Sequence, residues 1–220
     1  KKTIMKKSII YTLFFIGFTS IFGQTGTTNF GTNTGTQGNN NSFFGFEAGK
    51  NNTSGNGGVF LGYQSGFNTT TGVDNVFIGN TTGYKNTTSV NNVFIGWASG
   101  YENTTGSDNV FIDNGSSYKN TIGYHNVAIG SLSAHQNSTG AKNTFVGYIT
   151  GRYNTTGNRN TFYGDSSGYQ NTTGSNNTYV GQESGRNNTT GNNNVFLGSK
   201  AGYNETGSDK LYIANSSTES

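Results

Sequence analysis

A 17-residue unit recurs ten times along this chain, and no residue is inserted or lost between successive markers. The unit reads Asn-Val-Phe-Ile-Gly-x-x-Ser-Gly-Tyr-x-Asn-Thr-Thr-Gly-x-x. Its marker glycine falls at Gly45, Gly62, Gly79, Gly96, Gly130, Gly147, Gly164, Gly181 and Gly198, with Asp113 in the one missing slot. Coils stacked in register do not tolerate insertions as loops of a globular fold do, so the constant period identifies a solenoid. The expected fold is all-β: a parallel β-roll or β-solenoid of about ten 17-residue coils. At ~4.8 Å per coil these make a rod roughly 48 Å long.

The apolar fraction, 30%, is thin for one globular core and on its own would suit a disordered chain. The apolar residues are not scattered, however. They recur as one tripeptide per unit: Val76-Phe77-Ile78, Val93-Phe94-Ile95, Val110-Phe111-Ile112 and Val195-Phe196-Leu197. β-Branched and aromatic residues favour an extended backbone, so each tripeptide is a strand. Phe faces one way and its two neighbours the other. The Phe column holds Phe43, Phe60, Phe77, Phe94, Phe111, Phe145, Phe162, Tyr179 and Phe196, interrupted by Ala128. The flanking column of Ile78, Ile95, Ile112 and their equivalents is never polar. One face fits inside the coil, and the other needs the opposite wall or a second copy of the chain.

Turn chemistry fills the rest of the unit. The second glycine (Gly49, Gly66, Gly83, Gly100, Gly151, Gly168, Gly185, Gly202) suits a positive φ, and Asn-Thr-Thr-Gly makes the other bend. The asparagine before each strand recurs at Asn41, Asn75, Asn92, Asn109, Asn126, Asn143, Asn160, Asn177 and Asn194. Stacked amides of this kind form a structural ladder. Copies five and six depart most from the pattern. Asp113 replaces the marker glycine, Ser117 and Ala134 replace the second glycine, and Ala128 replaces Phe. Loosening near residues 113–135, or compensation by Leu132, is expected there.

Outside the repeats, residues 1–23 read as a signal peptide starting at Met5, with Lys6 and Lys7 before an apolar stretch from Ile9 to Phe22. Residues 24–40 read as a flexible Gly/Thr/Asn leader, 41–214 as the repeat domain ending in a Lys210–Ala214 strand, and 215–220 as a polar tail of a truncated chain. Removing Lys1, Lys2, Lys6 and Lys7 leaves nine basic against ten acidic side chains, a net charge of about −1. The pI of 9.0 therefore belongs mostly to the signal segment and gives no support to nucleic-acid binding. The chain has no cysteine, so no disulfide contributes to its stability.

Asn-Val-Phe-Ile-Gly followed by Ser-Gly-Tyr resembles the head repeats of trimeric autotransporter adhesins, the YadA-like β-roll. In its longer period it also resembles the repeat regions of secreted bacterial tail-fibre-domain proteins. The resemblance covers about 170 residues. It implies a left-handed roll, a homotrimer and a secreted, cell-surface or outer-membrane location. It supplies no receptor: the expected ligand, a host or environmental surface or a glycan, stays unnamed, and a membrane is expected to be reached only through a missing anchor.

No catalytic, metal-binding or cofactor constellation is legible. His125 and His135 sit in divergent copies, Asp74 and Asp108 alternate with Asn and His, and no nucleophile elbow or phosphate loop occurs. The expected function is non-enzymatic: an adhesin or fibre segment presenting a repetitive face at many weak points. The alternative is ice binding by the paired threonines Thr87-Thr88, Thr104-Thr105, Thr155-Thr156, Thr172-Thr173 and Thr189-Thr190.

Overall fold

The computed structural model describes residues 28–32 and 34–214. The expected signal peptide and polar tail lie outside the described residues. Twelve three-residue strands form one sheet: β1 Thr28–Phe30, β2 Ser42–Phe44, β3 Val59–Leu61, β4 Val76–Ile78, β5 Val93–Ile95, β6 Val110–Ile112, β7 Val127–Ile129, β8 Thr144–Val146, β9 Thr161–Tyr163, β10 Thr178–Val180, β11 Val195–Leu197 and β12 Leu211–Ile213. They pair in sequence order, and the pairs are all parallel. From β2 to β11 each residue faces its counterpart 17 positions on, as Phe77 faces Phe94 and Phe94 faces Phe111. The chain is a β-solenoid with one coil per repeat.

Both ends extend the stack off the period. β12 pairs Val195 with Leu211, a step one residue short of a full coil. The stretch expected to be a flexible leader carries β1, which pairs Thr28 with Ser42. Among its described residues Gly35 donates to Ala48 O and Glu47 to Thr32 O, so backbone hydrogen bonds hold them without any apolar core residue of their own.

The Phe column fills the coil interior. Phe43, Phe60, Phe77, Phe94, Phe111, Phe145, Phe162, Tyr179 and Phe196 are all 0–1% exposed. Successive rings stack with centroids 4.6–5.0 Å apart. That distance is the inter-strand spacing itself, so the coil rise dictates the ring stack. In the coils that keep it, the second glycine lies against these rings, whereas coil five keeps Phe111 with a buried Ser117 in that slot. A Cβ on Gly66 would lie 2.7 Å from the Phe60 ring, and one on Gly100 2.6 Å from Phe94. The marker glycine answers to the backbone instead: a Cβ on Gly79, at φ +133°, would lie 2.0 Å from the Gly96 carbonyl oxygen.

Among the described residues, opposite the sheet lie turns and an isolated bridge between Val73 and Val90 rather than a second wall of strands. These turns still bond from coil to coil, for example Gly66 N to Thr82 O and Thr87 N to Thr104 O. A buried Ser column completes them. Ser65, Ser99 and Ser116 donate to the carbonyls of Phe77, Phe111 and Ala128 in the next coil, at 2.8–2.9 Å.

Copies five and six keep the stack intact. Asp113 N still donates to Ile95 O, Gly130 N to Ile112 O and Leu132 N to Asn114 O. Leu132 does not fill the space left at Ala128. It is half-buried on the outside of the turn, against Gly115. Ala134, in the second-glycine slot, is buried with Ala128 in the core, so an added methyl accompanies the lost ring.

Tyr179 places a hydroxyl where the other coils have a bare ring edge, and that hydroxyl is buried with no hydrogen-bond partner. Burial pushes its pKa well above the phenol range, with the nearby Asn194 amide working the other way. Tyr179→Phe is therefore expected to raise stability by about 1 kcal/mol, since a buried unsatisfied group carries its full desolvation cost. A lower melting temperature for this variant by calorimetry would contradict the assignment.

Candidate functional site

A rod of identical coils presents longitudinal columns rather than one cleft, and each column has its own chemistry. The Asn column faces inward. Asn75, Asn92, Asn109, Asn126, Asn143, Asn160, Asn177 and Asn194 are 0–2% exposed. Each Oδ1 from Asn75 to Asn177 accepts from the backbone N–H of the asparagine one coil on, at 2.9–3.0 Å. Each Nδ2 donates to a turn carbonyl of the next coil, as Asn109 does to Gly123 at 2.9 Å and Asn160 to Gly174 at 2.8 Å. Direct amide–amide contacts are added at Asn92–Asn75 and Asn143–Asn126. These side chains hold coils together and are closed to ligands.

The Asn of Asn-Thr-Thr-Gly forms a second ladder. Asn120, Asn137, Asn154 and Asn171 each donate to the preceding coil's amide oxygen at 2.7–2.8 Å. The same nitrogens close the local turn onto Gly123, Gly140, Gly157 and Gly174. The sequence reading assigned them only the turn. Their constant period was the signal that they also stack.

The threonine pairs divide their roles. The hydroxyls of Thr87, Thr104, Thr155 and Thr172 donate to the next coil's backbone at 3.0 Å, and these residues are half-buried, as Thr189 is. Thr88, Thr105, Thr156, Thr173 and Thr190 are exposed. The first rank has its donors engaged within the protein, which leaves one open rank of hydroxyls for a lattice of bound water.

The outer face of the sheet is mostly aliphatic, with threonines at Thr144, Thr161 and Thr178. The side chains flanking each Phe, such as Val76, Ile78, Val93 and Ile95, are half-buried, and Leu61, Ile129, Val180 and Val195 are 37–46% exposed. No known protein family, curated protein or solved structure matches the chain. The resemblance to adhesin heads and fibre repeats therefore stands on the repeat residues alone.

A last column follows the second glycine. Phe67, Tyr84, Tyr101 and Tyr118 stack nearly flat at 5.0–5.1 Å, and His135 continues the stack 5.3 Å from Tyr118. The His135 Nδ1 sits 2.9 Å from the Gly115 carbonyl. Burial holds its pKa below the usual imidazole range; the Gly115 contact opposes this, and Arg152 and Lys119 add to it. At Arg152 the column breaks. The aromatic residue moves one place on, to Tyr153, whose ring stands perpendicular to Tyr169 at 5.1 Å. A groove lined by Gln136, Tyr153, Thr155, Tyr169, Gln170, Thr172 and Thr189 opens there. Among the described residues no cluster of His, Cys, Asp or Glu is arranged to hold a metal ion. Asp74 and Asp108 are exposed turn residues at φ +54° and +58°, a conformation that aspartate and asparagine tolerate better than most.

Proposed function

We propose that this chain is a rigid, non-enzymatic segment of a secreted or cell-surface adhesin or fibre, and that it works as a homotrimer. The carrying observation is the outer face of the sheet. The Phe column is already satisfied inside one chain, yet the opposite face is mostly aliphatic, with Thr144, Thr161, Thr178 and Tyr163 interrupting it in coils seven to nine. Eleven strand-to-strand steps at ~4.8 Å give a stripe about 53 Å long. A stripe of that length exceeds what soluble monomers ordinarily leave open. From Val59 to Leu197 its members are Val, Ile, Leu, Thr or Tyr and carry no charge. Further copies of the same chain suit it, because equal pitch sets equal side chains opposite each other in every coil. The resemblance to trimeric adhesin heads supports three copies rather than two.

Light scattering of residues 24–214 at micromolar concentration tests this. The expected mass is three chains, unchanged by moderate salt because the contact is apolar. Val93→Lys with Ile95→Lys, both on the outer face, is expected to give a folded monomer. A monomeric or dimeric parent protein would overturn the proposal.

A further inference from the structure

We propose that the groove at Tyr153 and Tyr169 is a binding site for a carboxylated saccharide, such as a short run of a uronic-acid polymer. The site is local, unlike the repeating outer face, and does not depend on the oligomeric state. It arises where the repeat fails. From Phe67 to His135 the rings stack face to face and close that side of the rod. With Arg152 in the column and Tyr153 displaced, the next two rings meet at 88° and a groove opens beside them.

Its lining has the chemistry of sugar recognition. Tyr153 is 38% exposed and offers a ring to the C–H face of a pyranose. The Gln136 and Gln170 amides supply paired donors and acceptors for neighbouring hydroxyls, and Thr172 adds a hydroxyl edge. The lining residues span four coils, three rises of ~4.8 Å or about 14 Å, and the groove is open at the surface. That shape fits part of a chain rather than an enclosed small molecule.

The surrounding charge selects an acid. No Asp or Glu lines the groove. Arg186 lies over the Tyr169 ring at 4.7 Å, with its guanidinium paired to Glu183 at 3.0 Å. Arg152 lies 5.7 Å from the Tyr153 ring, and its Nε is buried without a partner. Among the described residues no carboxylate forms an ion pair with Arg152. Neither arginine lines the groove itself, but Arg152, which forms no ion pair among the described residues, stands beside it and supplies positive charge toward a planar carboxylate carried on a sugar.

The test is calorimetric titration of the folded repeat protein with tri-galacturonate and, in parallel, with maltotriose as the neutral probe. The uronate is expected to bind, and the neutral sugar at least tenfold more weakly. Arg152→Gln is expected to remove that preference. Gln170→Ala, at an exposed position that cannot unfold the rod, is expected to weaken uronate binding several-fold. Tyr84→Ala, in the closed part of the column, should leave it unchanged. Equal affinity for the two sugars, no binding to folded protein, or equal loss on Tyr84→Ala would each overturn the assignment. None of these outcomes bears on the trimer.

Discussion

The double variant Ala128→Phe/Ala134→Gly is expected to be more stable than the parent by about 2–4 kcal/mol, and Ala128→Phe alone to gain much less. Coil six is the one coil between Phe43 and Phe196 without a ring, and Phe111 and Phe145 have no ring between them. Restoring the ring reverses a large-to-small core truncation, which typically costs about 3–5 kcal/mol. The Ala134 methyl stands in the way. In the coils with glycine at that slot an added Cβ would lie 2.3–3.0 Å from the ring, as at Gly168 and Gly151, and only coil five seats a Cβ there beside a ring, that of Ser117 next to Phe111. Forcing a ring against such a methyl costs about 1–3 kcal/mol. Ala134 also sits at φ +49°, which glycine adopts without strain. The two changes should therefore couple by about 1 kcal/mol or more in a double-mutant cycle read by chemical denaturation. Additive effects would show that the second glycine is not set by the ring it faces.

That pair also explains what was legible in the sequence. The period specified parallel coils, and Val-Phe-Ile specified the strands. Alternation did not say which face turns inward, because both are apolar. A clue lay in the second glycine, which in coil six is lost to Ala134 together with the ring at Ala128, although coil five keeps Phe111 beside Ser117. Read as steric compensation, that exchange points the rings toward the glycine and hence inside. Thr28–Phe30 was not legible for the opposite reason. It pairs off the period and sets Asn29, not a ring, beside Phe43. The Tyr153 groove was illegible because it comes from broken periodicity, where Arg152 and Tyr153 exchange roles by one place. A search for repeats averages such a site away.

In a solenoid each coil is an exchangeable unit, and deletion measures that directly. Removing residues 92–108 takes out one complete coil and joins Asn91 to Asn109, leaving every remaining residue opposite its equivalent. In a linear array each coil contacts only its neighbours, so the shortened rod should fold. Removing residues 92–99 leaves an incomplete coil, which cannot bring Phe111 under Phe77 while keeping the glycine and Asn columns aligned. Thermal melts followed by circular dichroism compare the two. The predicted result is one cooperative transition with parent-like β signal for the full-coil deletion and none for the partial one. Loss of folding in both, or survival of both, would contradict the solenoid account.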